Sequence, residues 1–312
     1  RGKLSPLYDM VGKISLTGDV QSEYRKACLF YSAWSKLNDH VQRKCHHVKP
    51  LGCLKQPGKE ILAALKEANI LTATIRTKAI AFFKHVDSTA FKDMLNLAKE
   101  DKTLMKDYMS SVFHALAVIH KSGFVHHDLK PPNILFNYET RKACIIDFGQ
   151  TARIGNAYNG HVGTPGYQTP EDLAARDKYS KRKADMWQEK GGKRRKTDLP
   201  ICSHPSSDIW SVGMILAQCI LGKDKVRAGD SELAEMALCL LNRLTSPERS
   251  SAAGKYFENE DLAIHLANQC LQKWESESNK RILADEACNV KLFSQDSKVV
   301  NRQLCFGATT SW

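Results

Sequence analysis

Asp128, Lys130, Asn133 and Asp147 fall in fixed order inside two apolar runs, and this arrangement limits what the chain can fold into more than any other feature. They sit in Phe124-Val-His-His-Asp-Leu-Lys-Pro-Pro-Asn-Ile-Leu-Phe136 and Ile145-Ile-Asp-Phe-Gly149. Transfer of a phosphoryl group needs a carboxylate to accept the proton of the attacking hydroxyl and a cation to neutralise the moving phosphate. It also needs oxygen donors that hold Mg²⁺. Asp128 supplies the first, Lys130 the second, and Asn133 with Asp147 the third. The runs Ile134 to Phe136 and Cys144 to Ile146 predict short buried strands joined by a turn over Asn137 to Lys142, which brings the two carboxylates to one edge.

Composition sets the frame. A chain of 312 residues, 42% hydrophobic and 26% charged, has enough apolar material for one large bilobal domain. The longest apolar stretch, Ile209 to Leu221, is too short and too polar to span a bilayer, so no membrane role is expected. Ten cysteines form no Cys-x-x-Cys pair and several lie in apolar runs, which points to buried thiols in a reducing, intracellular setting.

The net charge of +12 is partly concentrated in Lys181-Arg-Lys183 and Lys190-Gly-Gly-Lys-Arg-Arg-Lys196. No basic surface interleaved with aromatics is seen, so direct nucleic-acid binding is not expected. Residues 179 to 205 are polar and bounded by prolines, and predict a flexible insert. Two basic clusters about ten residues apart suggest a bipartite nuclear-import address, with a solvated charged loop as the alternative.

Around the four polar residues, Leu104 to Lys121 has helical spacing and Gly123 stands where a helix would end. Asp208, in the apolar run Ser207-Asp-Ile-Trp-Ser-Val-Gly213, can cap the N-terminus of the helix that this run opens and hold the backbone near Asp128. Glu171 expects a buried cationic partner, for which Arg281 is the candidate. Cys45, His46, His47 and Cys53 invite a zinc reading, but adjacent histidines on a strand point to opposite faces.

Together these motifs resemble those of eukaryotic serine/threonine protein kinases. The linking text narrows the likeness. Lys78 to Leu95, Tyr108 to His120, His126 to Asn137, Gly163-Thr-Pro-Gly166 and Ala228 to Ala237 resemble the cell division cycle 7 kinases, over roughly residues 78 to 293. The resemblance implies an α+β, bilobal protein kinase fold with a β-rich small lobe (1–83), a mainly helical large lobe (84–293) bearing the basic insert, and a C-terminal tail (294–312). It further implies ATP and Mg²⁺ as cofactors and protein hydroxyls as substrate, MCM helicase subunits among them. A Dbf-type regulatory subunit and a nuclear location follow from the same likeness. Thr164 is expected beside Asp128 and Lys130.

On the small lobe, the helical spacing of Ile61, Leu62, Leu65 and Ile70 makes Glu60 the expected ion-pair glutamate. Lys49 is the expected phosphate lysine, with Lys44, Lys55 and Lys66 as competitors. Tyr8 to Val20 takes the place of a glycine-rich phosphate loop, degenerate because only Gly12 and Gly18 remain. Tyr24 to Arg43 is read as a long loop, and His47 as a residue crowding the adenine. Phe83 is the expected gatekeeper, followed by a hinge through Val86, with Gly18 and Leu135 as further nucleotide contacts. His127 stands where most kinases carry arginine, which weakens control by phosphorylation of the following segment. A pseudokinase scaffold with an impaired nucleotide site is the competing reading.

Overall fold

The computed structural model describes residues 10–15, 19–67, 79–158, 162–188, 201–221, 255–272 and 281–293. Gly18, the charge cluster from Lys190 to Lys196 and the tail from 294 lie outside them, and so do residues 228 to 237.

The first unit is a three-stranded antiparallel sheet in the order β1-β4-β3, made of β1 (Met10–Ser15), β3 (Pro50–Lys55) and β4 (Ala79–Lys84). Its register sets Lys13 opposite Ala81 and Val11 opposite Phe83. Helix α1 (Asp19–Ser35) lies against this sheet. Val20, Glu23, Ala27 and Phe30 are all buried, and their three- and four-residue spacing places them on one helix face. A glutamate on that face has to be paired, since an isolated buried carboxylate is costly.

Two expectations fail here. Met10–Ser15 is a sheet strand rather than a phosphate loop, and the reputed long loop after Tyr24 is mostly helix. The short α2 (Asp39–Gln42), capped by the Asn38 side chain, completes that stretch. The periodic segment from Lys59 does form a helix, α3 (Lys59–Glu67), but it sits between β3 and β4 with Ile61 exposed. Periodicity located a helix correctly and misjudged which helix it was.

The second unit is built on α4 (Phe91–Glu100) and α5 (Thr103–Lys121), whose residues Leu104, Met105, Val112, Phe113, Leu116 and Ile119 are fully buried. Gly123, at φ 83°, takes the left-handed conformation that ends α5 without strain. The expected hairpin is present as β6 (Ile134–Asn137) and β7 (Lys142–Ile145), with β2 (His46–His47) added in parallel to β7. Strand β5 (Phe124–Val125) pairs with β8 (Ala152–Arg153). Further on, β9 (Ala157–Tyr158) pairs with β10 (Ile201–Cys202), so the chain returns to the same place after residue 200. The insert expected over 179–205 therefore begins as helix, since α6 spans Pro170–Gln188, and it ends in strand.

Helix α7 (Ser206–Leu221) is the centre of the large unit, with Ile209, Trp210, Val212, Ile215 and Leu216 fully buried. It packs on α8 (Glu260–Cys270) through Gly213, where an added Cβ would lie 2.7 Å from Cys270 Cβ and 2.8 Å from Leu271 Cγ. Gly213→Ala is expected to destabilise by about 1–3 kcal/mol through overpacking, measurable by urea unfolding. Unchanged stability would mean that the two helices separate freely.

Arg281 closes the bottom of this unit. Its guanidinium bonds both oxygens of Glu171 at 2.8 and 2.9 Å, donates to the carbonyl of Gln272, and lies 4.9 Å from the centre of the Trp210 ring. This is the pair anticipated for Glu171.

Candidate active site

The catalytic loop between β5 and β6 is held from beneath by Asp208, which is fully buried. Its carboxylate accepts from the backbone N–H of His126 (2.7 Å) and His127 (2.8 Å) and from His120 Nε2 (2.9 Å). Burial alone would raise its pKa, but the His120 bond and the neighbouring histidines outweigh it and keep the carboxyl below the usual range. His126 accepts from the Asp128 N–H at Nδ1 and donates from Nε2 to the Ile146 carbonyl, which fixes a neutral tautomer. Burial lowers its pKa in agreement with that. Both histidines support the loop, His120 through Asp208 and His126 through backbone groups.

Above this base the structure brings Asp128, Lys130 and Asn133 together. Lys130 Nζ lies 3.0 Å from Asp128 Oδ2 and donates to Thr164 Oγ1 at 2.6 Å, while Thr164 donates to Asp128 Oδ1 at 2.6 Å. Asn133 Nδ2 donates to the carbonyl and to the carboxylate of Asp128 at 2.8 and 3.2 Å. Its amide nitrogen is thereby spent on the loop and its amide oxygen is left over for a cation. Asp147 sits at φ 66°, a conformation that costs free energy for a residue other than glycine. Its side chain accepts from the Gly149 N–H.

The partner of Asp147 is the residue the sequence reading missed. Lys13, in the middle of β1, places Nζ 2.8 Å from Asp147 Oδ1 and 2.8 Å from Glu23 Oε1. Burial opposes its charge, yet the Asp147 and Glu23 carboxylates prevail and hold the ammonium above the ordinary lysine range. Asp147 moves the other way. Burial would raise it, but the Lys13 bond and charge bring its pKa below the normal carboxylate value. The strand lysine is thus Lys13 and the helix glutamate is Glu23. Lys49 and Glu60, expected in those roles, are both exposed, and the Lys49 carbonyl accepts from the Lys84 N–H. A clear signal was available: a lysine inside a strand pattern, then a glutamate on the apolar face of the next helix.

A stack of rings ties α1 to this site. Phe148, next to Asp147, meets Phe30 of α1 edge-on at 4.9 Å and His126 at 5.7 Å. Lys26 of α1 also donates to the carbonyls of Phe148 (3.1 Å) and Thr151 (2.6 Å). Position of α1 and position of Asp147 are therefore one structural variable.

Phe83 is buried near the end of β4, its ring 6.0 Å from that of Tyr24. Beyond it, the Thr89 N–H bonds the Phe136 carbonyl and fastens this stretch to β6, next to Leu135. Val86 and Leu135 are both partly buried against the core. His47 lies elsewhere than expected. It is on β2 opposite Ile145 and is buried. Burial, and then the neighbouring His46, push its pKa down to about 3. It belongs to the packing between the lobes. Among the described residues no group of three or more histidine, cysteine, aspartate or glutamate side chains is placed to hold a metal.

The donor set suits a hard cation. The Asp147 carboxylate and the Asn133 amide oxygen are oxygen ligands, few in number, and leave room for phosphate oxygens and water, as Mg²⁺ prefers. The site fits MgATP.

Residues 60–188 match the family described as Protein kinase domain. Together with the ion pairs from Lys13 and the loop around Asp128, this decides the matter. The chain has the protein kinase fold. Its architecture begins upstream of the matched residues, since Lys13 and Glu23 precede them. Relatives include the "Putative mitogen-activated protein kinase 14C" of Drosophila melanogaster, 31% identical over 46% of this chain and 33% of its own length. Others are the mitogen-activated protein kinase HOG1 of Candida albicans, 29% identical over 53% and 38%, and the serine/threonine-protein kinase MPS1 of Saccharomyces cerevisiae, 30% over 55% and 22%. The chain spans about a third of the length of the first of these relatives. Among solved structures, the Cydia pomonella granulovirus kinase PK-1 superposes with a TM-score of 0.57 over 91% of this chain and 86% of its own, at 13% identity, and shares the fold.

Proposed function

We propose that this protein is an active serine/threonine protein kinase. The observation that carries this reading is the closure of Lys13 onto both Glu23 and Asp147 at 2.8 Å, over a catalytic loop in which Thr164 bridges Asp128 and Lys130. Bound MgATP supplies the phosphoryl group. Lys13 steadies its phosphates, Asp147 and Asn133 hold the cation, Lys130 offsets charge on the transferred group, and Asp128 orients the substrate hydroxyl. Asp128 and Lys130 already flank the Thr164 hydroxyl, so a serine or threonine hydroxyl beside it meets polar groups that are already in place.

The pseudokinase alternative rested on an eroded phosphate loop and on His47 over the adenine. Met10–Ser15 of that segment is a strand that carries Lys13, and His47 is buried on β2 against β7, which weighs against both grounds.

For the biological role we propose a cell division cycle 7-like kinase that acts in the nucleus in DNA replication, with a Dbf-type regulatory subunit and MCM helicase subunits as substrates. The linking text from Lys78 to Leu95 and the basic clusters support it. Phosphorylation of MCM peptides that rises on adding a Dbf-type subunit is the expected result, and no response to that subunit would sink the role.

The nucleotide site that this activity needs is tested by melting the protein with and without MgATP. A ligand at a hundred times its Kd adds about 2.7 kcal/mol of stability, because it binds only the folded state. The melting temperature is expected to rise, and to rise less in Asp147→Asn. Equal shifts in parent and variant would remove Asp147 from the cation site.

A further inference from the structure

The segment from Phe148 to Pro170 must keep one shape for a protein substrate to dock, and a phosphate paired with arginine is a common anchor for such segments. The position before Asp128 does not carry the arginine half of that pair. The position before Asp128 is His127, at φ 68°, mostly buried, its pKa lowered by burial and its ring 4.9 Å from Tyr158. The segment has five hydroxyls, on Thr151, Tyr158, Thr164, Tyr167 and Thr169. Thr151 is buried, the Tyr158 hydroxyl donates to Asp172, and Thr164 is held by Asp128 and Lys130. Tyr167 accepts from Gln218, and Thr169 bonds the Asp172 N–H. Every one is already committed or enclosed.

Another part of the chain occupies the vacant role. Strand β10 lies on β9, and the contact continues through Ser203, whose N–H donates to the Asn156 carbonyl (2.7 Å) and whose carbonyl accepts from the Gly155 N–H (2.9 Å). The Ser203 side chain, with the residue 1% exposed, shares a hydrogen bond with His127 Nε2 at 2.9 Å. The His127 carbonyl in turn sits where a Cβ on Gly163 would come within 2.8 Å of it, so the far end of the segment also closes on this residue. One serine thereby joins the segment, the strand after the insert and the backbone that carries Asp128.

We propose that Ser203 is a positioning residue: through β10 and His127 it locks the segment against the catalytic loop, and the enzyme needs no phosphate there. The proposal rests on the kinase reading. Removal of the hydroxyl leaves the β9–β10 backbone bonds in place but frees the His127 ring, so the backbone beside Asp128 loosens.

The test compares the phosphatase-treated parent with Ser203→Ala and Ser203→Thr, by steady-state kinetics on a serine peptide and by hydrogen exchange over residues 152–158. The treated parent is expected to keep its activity. Ser203→Ala is expected to lose about tenfold in kcat/KM for peptide, roughly the value of one hydrogen bond, at constant KM for ATP, with faster exchange. Ser203→Thr should restore both. Loss of activity on phosphatase treatment, or an alanine variant unchanged in kinetics and exchange, would overturn the proposal. If the parent transferred no phosphate at all, the kinase reading would fall, and the exchange comparison alone would still decide for or against the lock.

Discussion

Lys13→Met is expected to reduce kcat/KM for ATP-dependent phosphotransfer by about 10²–10³-fold, the usual loss when one preorganised electrostatic partner of the transferring group is removed. Lys49→Met, on an exposed residue, is expected to stay within about twofold. The contrast follows from position. Lys13 meets Glu23 and Asp147 at 2.8 Å, so its loss removes a phosphate contact and also the bond that fixes α1 against Asp147. Glu23, 7% exposed at its side chain, would keep a buried carboxylate without a cation and would pull α1 outward toward water. Parallel kinetic measurements on the two variants decide it. Activity retained in Lys13→Met and lost in Lys49→Met would reverse the assignment and return the sequence-based reading to favour.

Asp208→Ala should be the most damaging single change to stability, at about 3–5 kcal/mol, the range seen when one member of a buried charged network is deleted. Two buried N–H groups, of His126 and His127, would lose their acceptor together, and His120 would lose its partner. Urea unfolding measures the loss. A cost below that of an ordinary surface substitution would mean that the loop supports itself. The pH dependence has a definite sign. The folded-state pKa of Asp208 is depressed, so its contribution is fully present above the unfolded value near 4. That contribution disappears as pH falls through the lower folded value. The parent should lose stability in acid, and Asp208→Ala should lose correspondingly less over the same window.

Where local chemistry was decisive, sequence and structure agree. The spacing from Asp128 to Asp147 needs a hairpin to make sense, and β6 and β7 form it. Thr164 meets Asp128 and Lys130, and Asp208 holds the loop. Arg281 finds Glu171 across more than a hundred residues, because a buried guanidinium has few ways to be satisfied and Glu171 offers a bidentate one.

The small lobe was harder for a physical reason. Two segments, at Asp19 and at Lys59, have helical character and a glutamate, and amphipathic spacing says only that a helix exists. Which of them faces the active site depends on sheet order. With β1 beside β4, the residue opposite Ala81 projects toward Asp147, and that residue is Lys13. Sequence distance from Glu60 cannot recover this, because Lys13 pairs with Glu23 of α1 and not with Glu60 of α3. Phe30 held the deciding clue, since an aromatic on the same face as Glu23 packs on Phe148.

By itself, then, the sequence determined the chemistry of this protein: four polar groups whose types and order suit phosphoryl transfer, set in strands and helices whose local patterns are strong. The tertiary structure alone decided which distant residues complete that chemistry, Lys13 and Glu23 from the sheet side and Ser203 from the strand after the insert. The cause is the difference between short and long range. Periodicity and turn chemistry act over a few residues, whereas pairing of β1 with β4 and of β9 with β10 is selected only when the whole core is packed.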